Sequence, residues 1–319
     1  LSGVKVAVVG DVMLDTYCWG RVERISPEAP VPVVAVDRKE ARIGGAGNVA
    51  LNTAALGAPT FVFSVIGSDD EGRELKELMQ KNNISTEFII ESPERITTNK
   101  TRVISRNQQM MRLDAEYVAD LNAGLEEDLL NRFATFVEQQ QPKVVILEDY
   151  NKGVLTENVI AGIIGICNRH DIITTVDPKR KNFFAFKNVT IFKPNLKEVK
   201  EALNILFDEI DDHLLGNIHE ELQRQLSHRY SLITLSEKGI FYQGDRDHRV
   251  IPSHIRNIAD VSGAGDTVIA VASLVYAASA NIDLAAEVAN IAGGLVCEEV
   301  GTVAIDPARL MLECKTILS

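Results

Sequence analysis

The sequence predicts an α/β fold in three layers, with a mainly parallel central sheet between two helical layers and a small β-sheet lid. Short β-branched runs alternate along the chain with stretches of helical periodicity, which is typical of a parallel sheet covered on both faces. Residues 12–43 and 96–115 are also strand-like but fall outside this alternation. Pro27, Pro30 and Pro32 flank a strand-like run in the first of these segments, and prolines in such places favour an exposed edge sheet. These two segments are therefore predicted to form the lid.

Six runs of high β propensity are predicted as strands of the central sheet. They cover residues 4–11, 61–66, 144–149, 172–177, 189–195 and 231–236. Helical patterns cover residues 49–56, 71–82, 125–140, 157–169 and 215–228, and the run 268–278, which is apolar on every side and is predicted as a buried helix. The chain has no internal repeat and no obvious linker, so residues 1–319 are expected to form a single domain.

Composition excludes several classes of protein. The hydrophobic fraction of 45% and the charged fraction of 24% are ordinary for a globular protein. A formal net charge of −12 argues against nucleic acid or an anionic membrane as a partner, and the longest apolar run, 268–280, is too short to span a bilayer. The four cysteines show neither close pairing nor metal-ligand spacing, which indicates a reducing compartment and a cytoplasmic location.

The stretch from 258 to 278 carries the strongest sign of chemistry. Gly263 and Gly265 precede the buried helix, so free backbone N–H groups at its N-terminus can bind an anion, most often a phosphate. Asp266 stands where it would repel that anion, and a general base beside a phosphate site accounts for such a carboxylate. A tight turn with a favourable charge on the first helical turn accounts for the same residues equally well.

Polar residues follow the predicted strands at the point where each strand ends. Ligands of open α/β sheets bind outside the carboxyl ends of the strands, so these side chains are expected to share one edge of the sheet with Asp266. Any one of them alone could be a loop residue or a helix cap. The residues are Asp11, Glu148, Asp149, Asp177, Asn195, Ser236 and Glu237.

Two further patterns begin helices. The glycine-rich residues 44–48 end in Asn48, and they fit either a closely packed helix start or a backbone that lies against a polar substrate, with Asn48 bonded to its hydroxyls. Asn195 followed by Glu198 is a capping-box pattern. The same pair could hold metal-bound water near phosphates, because Mg²⁺ usually keeps several of its waters.

Together these motifs resemble the signatures of the ribokinase-like (PfkB) carbohydrate kinase family, over essentially the whole chain. Asp-x-Ser-Gly-Ala-Gly-Asp at 260–266 is similar to the family's C-terminal signature, and Gly-Gly-Ala-Gly-Asn at 44–48 is similar to its N-terminal signature. Asn195-x-x-Glu198 is similar to its magnesium motif, and residues 236–239 and 289–302 are similar to its nucleotide-side segments. The resemblance implies the ribokinase-like three-layer fold and phosphoryl transfer to a sugar hydroxyl, with ATP and Mg²⁺ as cofactors.

The resemblance also implies a role for each matching residue. Asp266 would accept the hydroxyl proton, and Gly263, Ala264 and Gly265 would donate N–H groups to the transferring phosphoryl group. The residues implied in sugar binding are Asp15, Gly44, Gly45 and Asn48, and those implied in nucleotide binding are Asn195, Ser236, Glu237, Gly239, Gly263, Gly265 and Asn290. The metal-site residues implied are Glu198 and Asn195, which would hold Mg²⁺ through water, and Asp260 and Ser262, part of a K⁺ site that varies across the family.

Within the family, residues 10–15, 24–34 and 106–109 resemble the kinases that phosphorylate D-glycero-β-D-manno-heptose 7-phosphate at C1. That reaction gives the 1,7-bisphosphate in ADP-heptose and lipopolysaccharide core synthesis. Arginine favours bidentate phosphate recognition, although a solvated loop accounts for any single basic residue more simply. The cationic candidates for the 7-phosphate are Arg102, Arg106, Lys152, Lys179, Arg180 and Lys181, and Asp149 is a further candidate for substrate binding.

The resemblance implies partners as well. A sugar phosphate and ATP are the expected small molecules, a homodimer is expected to form through the lid, and a nucleotidyltransferase is expected on the same or another polypeptide. Two alternatives stay open: a kinase of this fold for another sugar, sugar phosphate or nucleoside, and a non-catalytic sugar- or nucleotide-binding regulator. An NAD-dependent dehydrogenase is excluded because the turn after the first strand, at Gly10 and Asp11, lacks the Gly-x-Gly-x-x-Gly pattern.

Overall fold

The computed structural model describes residues 1–106, 108–206, 209–244, 247–254 and 256–318. The strands β1 to β14 are, in order, Val6–Gly10, Val12–Ile25, Pro32–Gly45, Thr60–Gly67, Ile84–Ser85, Ile89–Ser92, Asn99–Ser105, Gln108–Ala115, Val144–Glu148, Ile173–Asp177, Ile191–Phe192, Tyr230–Thr234, Ile240–Gln243 and His248–Ile251. The helices α1 to α9 are Ala46–Ala55, Asp70–Lys81, Ala123–Gln140, Glu157–Arg169, Leu196–Leu203, Asp212–Leu226, Ala264–Ser279, Ile282–Val296 and Pro307–Ile317.

The central sheet runs in the order β14-β13-β12-β11-β10-β9-β1-β4-β5, with β6 paired to the second half of β4. All neighbours from β12 to β5 pair in parallel, and β13 and β14 extend one edge in antiparallel fashion. Strand β1 lies between β4 and β9, so the chain order reverses beside it. Ligands of open α/β sheets bind at such a reversal, outside the carboxyl ends of the strands.

Alternate residues of β1 face opposite helical layers, as the two-residue period of a strand requires. Val6 and Val8 pack in a core with α1, α2 and α7, while Ala7 and Val9 pack in a core with α3, α4 and α6. A third core lies under α7, α8 and α9, toward the β13 edge. Helix α7 is buried over most of its length, as its uniformly apolar sequence predicts.

The lid is a separate sheet with the strand order β3-β2-β7-β8. Strands β2 and β3 form a long antiparallel hairpin, and β2 begins immediately after β1 with Asp11 alone between them. Strand β7 pairs in parallel with the first half of β2, and β8 completes the sheet. The lid therefore rises directly from the strand at which the order of the central sheet reverses.

The predicted fold class is confirmed: the sheet is mainly parallel, helices cover both faces and the lid comes from the two predicted segments. The predicted strand over 189–195 is limited to Ile191–Phe192, because Pro194 has no N–H to continue the ladder. The antiparallel pair β13 and β14 was not among the predicted strands. Among the residues that the structure describes, no helix combines the length and apolarity needed to cross a bilayer. The single domain stays a prediction.

Candidate active site

The N-terminus of α7 begins at a glycine turn. Gly263 is its N-cap, with φ of 78°, and no side chain caps the helix. A Cβ at this position would lie 2.7 Å from Asn48 Nδ2, so both the backbone conformation and the space require glycine. The first N–H groups of a helix have no partner within it, and of these the Ala264 N–H donates to the Val261 carbonyl oxygen at 3.3 Å.

Asp266, on the first turn of α7, is held by two donors. Asn48 Nδ2 donates to its Oδ2 at 2.8 Å, and the Tyr150 hydroxyl donates to its Oδ1 at 2.7 Å. The residue is only 4% exposed, and burial raises the pKa of Asp266 to about 6, against the lowering effect of both donors. A carboxylate of this kind is ionised at neutral pH yet basic enough to take a proton from a hydroxyl.

The second glycine turn meets the first through Asn48. Gly45 is the N-cap of α1 with φ of 59°, and a Cβ there would lie 2.4 Å from the Asp11 carbonyl oxygen. A Cβ at Gly44 would lie 2.4 Å from Asp15 Oδ2, so the Asp15 carboxylate rests directly against this backbone. The structure thus brings Asp15, Gly44, Gly45 and Asn48 into one buried group, which contacts Asp266 through Asn48.

Arg102, on β7 of the lid, contacts this buried group through Asp15. It donates to Asp15 Oδ1, and both side chains are largely buried. Arg106 lies at the end of the β7 hairpin, exposed, and the structure does not bring it to this group. Asn107, in the 106–109 segment of the resemblance, lies outside the described residues.

A layer of buried acids and lysines lies beneath Asp266. The carboxylate oxygens of Glu148, Asp177 and Asp266 lie within 4.8 Å of one another. Lys193, only 2% exposed, donates to Asp177 Oδ2 at 2.7 Å, and Lys179 lies 3.0 Å from Asp177 Oδ1. Although burial alone would raise the pKa of Asp177, the charges of these two lysines lower it.

Glu148 is the unusual member of this layer. It is fully buried, and within the described chain neither carboxylate oxygen has a hydrogen-bond partner. Burial, followed by the charges of Asp177 and Asp266, raises the pKa of Glu148 well above its ordinary value. A carboxyl group in this position is therefore easily protonated, which lowers the negative charge beneath Asp266.

The capping box predicted at α5 is present. Asn195 Oδ1 accepts from the Glu198 N–H at 2.9 Å, and Glu198 Oε2 accepts from the Asn195 N–H at 2.8 Å. The other oxygen, Glu198 Oε1, accepts from Lys179 at 2.7 Å. Lys179 is therefore engaged by Glu198 and Asp177, so it is not a free cation for a substrate phosphate.

Two acidic residues at strand ends hold the loop after β9 through hydrogen bonds to its backbone. Asp11 accepts hydrogen bonds from the N–H groups of Tyr150, Lys152 and Val154 at 2.9 to 3.1 Å. Asp149 is buried and accepts from the Asn151 N–H at 2.7 Å, and burial raises the pKa of Asp149 to about 7. Both acids fix the segment that carries Tyr150. Asp149 is a buried loop residue, and its side chain is not open to a substrate.

Residues predicted on the nucleotide side converge on the segment after β14. Asn290 donates to the Pro252 carbonyl oxygen at 2.9 Å, and a Cβ at Gly239 would lie 2.0 Å from the Ile251 carbonyl oxygen. Ser236 and Glu237 lie in the short turn between β12 and β13. These residues share one region at the β13 edge, and their contact with a nucleotide stays a prediction.

Asp260 and Ser262 form a compact turn before α7. Asp260 Oδ1 accepts from the Ser262 N–H at 3.0 Å and from its hydroxyl at 2.8 Å, and Oδ2 accepts from the Gly301 N–H at 2.9 Å. Burial acts to raise the pKa of Asp260, but these hydrogen bonds outweigh it and lower the pKa. An ionised, well-bonded carboxylate fits the predicted cation site, whose occupancy stays a prediction.

Sequence reasoning missed three residues of this site. Tyr150 contacts Asp266, Lys193 neutralises Asp177, and Lys100 lies 5.5 Å from the centre of the Tyr150 ring. None belongs to a glycine turn or a capping pattern, although Tyr150 directly follows the predicted strand 144–149 and Lys193 lies near the end of the predicted strand 189–195. For Tyr150 and Lys193, a position near the end of a predicted strand was the sign that the sequence offered.

Comparison with known proteins agrees with this geometry. The family model for pfkB family carbohydrate kinases matches residues 4–309. The protein named "Bifunctional protein HldE" from Geobacter metallireducens is 39% identical over 311 residues, and the one from Aliarcobacter butzleri is 40% identical over 298 residues. These alignments cover 97% and 93% of this chain but 62% of each relative, so the chain spans less than two thirds of their length.

Solved structures show the same fold. Phosphofructokinase-2 from Escherichia coli in complex with potassium has a TM-score of 0.82 and 18% identity, covering 99% of this chain and 100% of that one. Ribokinase from Arabidopsis thaliana, complexed with ribose and ATP, has a TM-score of 0.75 and 14% identity, covering 97% and 98%. The fold, the family match over almost the whole length and the identity to the relatives named HldE show that this chain belongs to the pfkB family of carbohydrate kinases and is a sugar kinase.

Proposed function

We propose that this kinase transfers the γ-phosphoryl group of ATP to the C1 hydroxyl of D-glycero-β-D-manno-heptose 7-phosphate. The product is the 1,7-bisphosphate, a precursor of ADP-heptose for the lipopolysaccharide core. The observation that carries the choice of substrate is the 36–40% identity to proteins named HldE over nearly the whole chain. The resemblance of residues 10–15, 24–34 and 106–109 to kinases of heptose 7-phosphate supports the same choice.

Asp266 is the general base in this proposal. Its carboxylate takes the proton of the acceptor hydroxyl as that oxygen attacks the γ-phosphorus, and a positioned base of this kind contributes about 10²–10⁴-fold in rate. Asn48 and Tyr150 fix both oxygens of the carboxylate, so its remaining lone pairs face a defined direction. Phosphoryl transfer depends mainly on such positioning.

The N–H groups at the start of α7 stabilise the phosphoryl group in transit. Gly263, Ala264 and Gly265 present these donors at the positive end of the helix dipole, and the Ala264 N–H exchanges its bond to the Val261 carbonyl oxygen, at 3.3 Å, for the phosphoryl oxygen. The loss of one donor of this type costs about 10²–10³ in rate. Asp15, with the backbone of Gly44 and Gly45, binds the sugar hydroxyls and holds C1 against the base.

Kinases of this family use ATP and a divalent metal ion. The donor set around Glu198 and Asn195 fits Mg²⁺ held through water, because Lys179 and the Asn195 N–H each occupy one Glu198 oxygen and leave lone pairs that can accept from a coordinated water. When bound, the ion would neutralise charge on the ATP phosphates. We propose magnesium as the ion, and potassium at Asp260 and Ser262.

A coupled ADP-release assay tests the proposal. The assay contains ATP and Mg²⁺ and compares heptose 7-phosphate with ribose, fructose 6-phosphate and adenosine, alongside Asp266→Asn. Turnover with heptose 7-phosphate that is lost in the variant, with ATP binding retained, is the expected result. Preferred turnover of another acceptor would leave a sugar kinase but overturn the heptose assignment.

A further inference from the structure

The basic residues near the acceptor site differ in how far the protein itself satisfies them. Arg102 is paired with Asp15, and Lys179 with Asp177 and Glu198. The other two candidates that form ion pairs are Lys152, with Glu116 at 2.6 Å, and Lys181, with Asp120 at 2.6 Å. Arg106 and Arg180 are exposed. Each of these cations is therefore either neutralised by the protein or hydrated.

Lys100 is different. It is partly buried on β7, and within the described chain its ammonium group has no ion pair and no hydrogen bond. Its acidic neighbours are already bonded to other residues. Arg102 donates to Asp15, and Arg112 donates to both oxygens of Asp114 at 2.7 and 2.9 Å. Burial, the largest cause, lowers the pKa of Lys100. In the described chain the contact of this ammonium is with the face of the Tyr150 ring, which leaves its N–H groups available to a bound anion.

The position of Lys100 suits a ligand of the active site. Lys100 pairs with Asp15 across β2 and β7, so the two side chains lie on the same face of the lid. Its ammonium lies 5.5 Å from the centre of the Tyr150 ring, and the hydroxyl of that ring donates to Asp266. One tyrosine ring and one hydrogen bond thus link the Lys100 ammonium to Asp266, which places both groups at the same site.

Four charged residues act on Lys100. Asp15, the largest charge influence, and Asp114 raise its pKa, whereas Lys152 and Arg112 lower it. These four residues already have partners, because Arg102 bonds Asp15, Arg112 bonds Asp114 and Glu116 bonds Lys152. Among the described residues, Lys100 is the cation of this group whose N–H groups stay available, and a phosphate monoester would accept charge-assisted hydrogen bonds from it.

We propose that Lys100 binds the phosphate of the acceptor and makes the enzyme selective for a phosphorylated sugar. This inference rests on the proposed function and assigns its substrate phosphate to a residue outside the signature motifs. Lys100 then acts on recognition, while Asp266 acts on the chemistry. Loss of the ammonium is expected to raise KM for the phosphorylated acceptor and to leave kcat nearly unchanged.

The test compares Lys100→Ala and Lys100→Arg with the unchanged enzyme, using heptose 7-phosphate and the same heptose without its phosphate. We expect Lys100→Ala to lower kcat/KM for heptose 7-phosphate by about 10- to 100-fold, which is the usual effect of a charge-assisted hydrogen bond. Activity toward the unphosphorylated heptose should not change, and Lys100→Arg should retain most of the activity toward heptose 7-phosphate. Lys39→Ala, an exposed lysine of the lid, is the matched control.

A second measurement removes turnover from the comparison. Calorimetry in the Asp266→Asn background measures heptose 7-phosphate binding with and without Lys100→Ala, and we expect weaker binding by a similar factor. Thermal melts establish that each variant is folded, and Lys100→Gln replaces the alanine variant if that one is not. Equal losses with both acceptors, or no loss with heptose 7-phosphate, would overturn the role of Lys100.

The two proposals fail in different ways. If the unchanged enzyme uses heptose 7-phosphate and Lys100→Ala does not discriminate, the role of Lys100 alone is wrong. If the enzyme prefers another sugar phosphate, the heptose assignment is wrong, and Lys100 is judged on that acceptor and its dephosphorylated form. A preference for an unphosphorylated acceptor would overturn both.

Discussion

At the scale of single residues, the properties of Asp266, the proposed base, depend on its two hydrogen-bond donors as much as on its own carboxyl group. Asn48 and Tyr150 come from α1 and from the loop after β9, and each bonds one oxygen of Asp266. Burial raises the pKa of Asp266, and the two hydrogen bonds oppose this rise. The pKa is therefore set by a balance that a single substitution can move.

This balance predicts the pH dependence of the reaction. The base must be ionised, so kcat/KM should rise with pH through an apparent pKa of about 6 and reach a plateau above it. The Tyr150 hydroxyl lowers the pKa of Asp266, so Tyr150→Phe should move this limb to higher pH. A pH–rate profile of both proteins measures the shift.

Tyr117→Phe is the control for that experiment, because Tyr117 is 40% exposed and its ring lies near Arg95 rather than Asp266. It should leave the acid limb in place. An unchanged limb in Tyr150→Phe would show that Tyr150 does not tune the base.

The residues of the site differ in how far the sequence alone could reveal them. Asp266 and Asn48 stand in glycine-rich turns that begin helices, and the physical reason for such turns can be read from the chain. Tyr150 and Lys100 have no such local signal, because their importance depends on contacts that only the fold creates. The Tyr150 hydroxyl contacts Asp266, and the Lys100 ammonium group lies over the Tyr150 ring. Asp11 and Asp149 were expected at the ligand edge and lie there, but their oxygens accept from backbone N–H groups of the loop.

At the scale of elements, the start of α7 depends on a glycine for two separable reasons. Gly263 has positive φ, and a Cβ would collide with Asn48. Gly57 has a similar φ of 83° but open space around it. Gly263→Ala should lose about 1–2 kcal/mol of stability and about 10²-fold in kcat, whereas Gly57→Ala should lose stability alone.

Chemical denaturation and steady-state kinetics of the two alanine variants separate these effects. A full loss of activity in Gly57→Ala, or normal activity in Gly263→Ala, would contradict the assignment of the α7 N-terminus to the phosphoryl group.

The capping box of α5 allows structure and metal binding to be separated. Glutamine can replace Glu198 in a capping box, so Glu198→Gln should keep the helix and change the free energy of unfolding by less than about 1.5 kcal/mol. A neutral amide attracts metal-bound water less than a carboxylate does. We expect the Mg²⁺ concentration for half-maximal activity to rise about tenfold, which corresponds to about 1.4 kcal/mol.

Magnesium titrations of kinase activity measure this change. Glu201→Gln, on the exposed side of the same helix and close to Lys197, is the matched control and should not alter the titration. An unchanged magnesium requirement in Glu198→Gln would leave Glu198 with a capping role only.

The elements were predictable where a single pattern dominates. The helix Glu157–Arg169 has the predicted bounds and the strand Val144–Glu148 ends one residue before its predicted end at Asp149, because each is an uninterrupted run of one periodicity. The strands Ile240–Gln243 and His248–Ile251 were missed, because their pairing is fixed by β12 and the layer of α8 rather than by a local signal.

At the scale of the whole molecule, the lid leaves apolar side chains in water. Its strands and the hairpin turn expose Ile25, Val31, Val36, Met110, Met111 and Leu113. Exposed apolar groups on a sheet are typical of a surface that a second copy covers. We expect the enzyme to be a homodimer that forms through the lid.

Sedimentation equilibrium tests this expectation. Met111→Glu with Leu113→Glu should shift the protein to a monomer, because both side chains lie on one face of β8 and charge there opposes burial. Met311→Glu, at an exposed apolar site on α9, should leave the mass unchanged. A monomeric unchanged enzyme at micromolar concentration would contradict the lid dimer.

The connection between β1 and β2 has a mechanical consequence. The lid leaves the central sheet through Asp11, and the same carboxylate holds the N–H groups of Tyr150, Lys152 and Val154. A rotation of the lid about this point therefore moves the anchor of the loop whose tyrosine aligns the base. We therefore expect closure of the lid over the sugar and alignment of the Asp266 carboxylate to occur together, so that Asp266 is correctly oriented only when an acceptor is bound and the lid is closed.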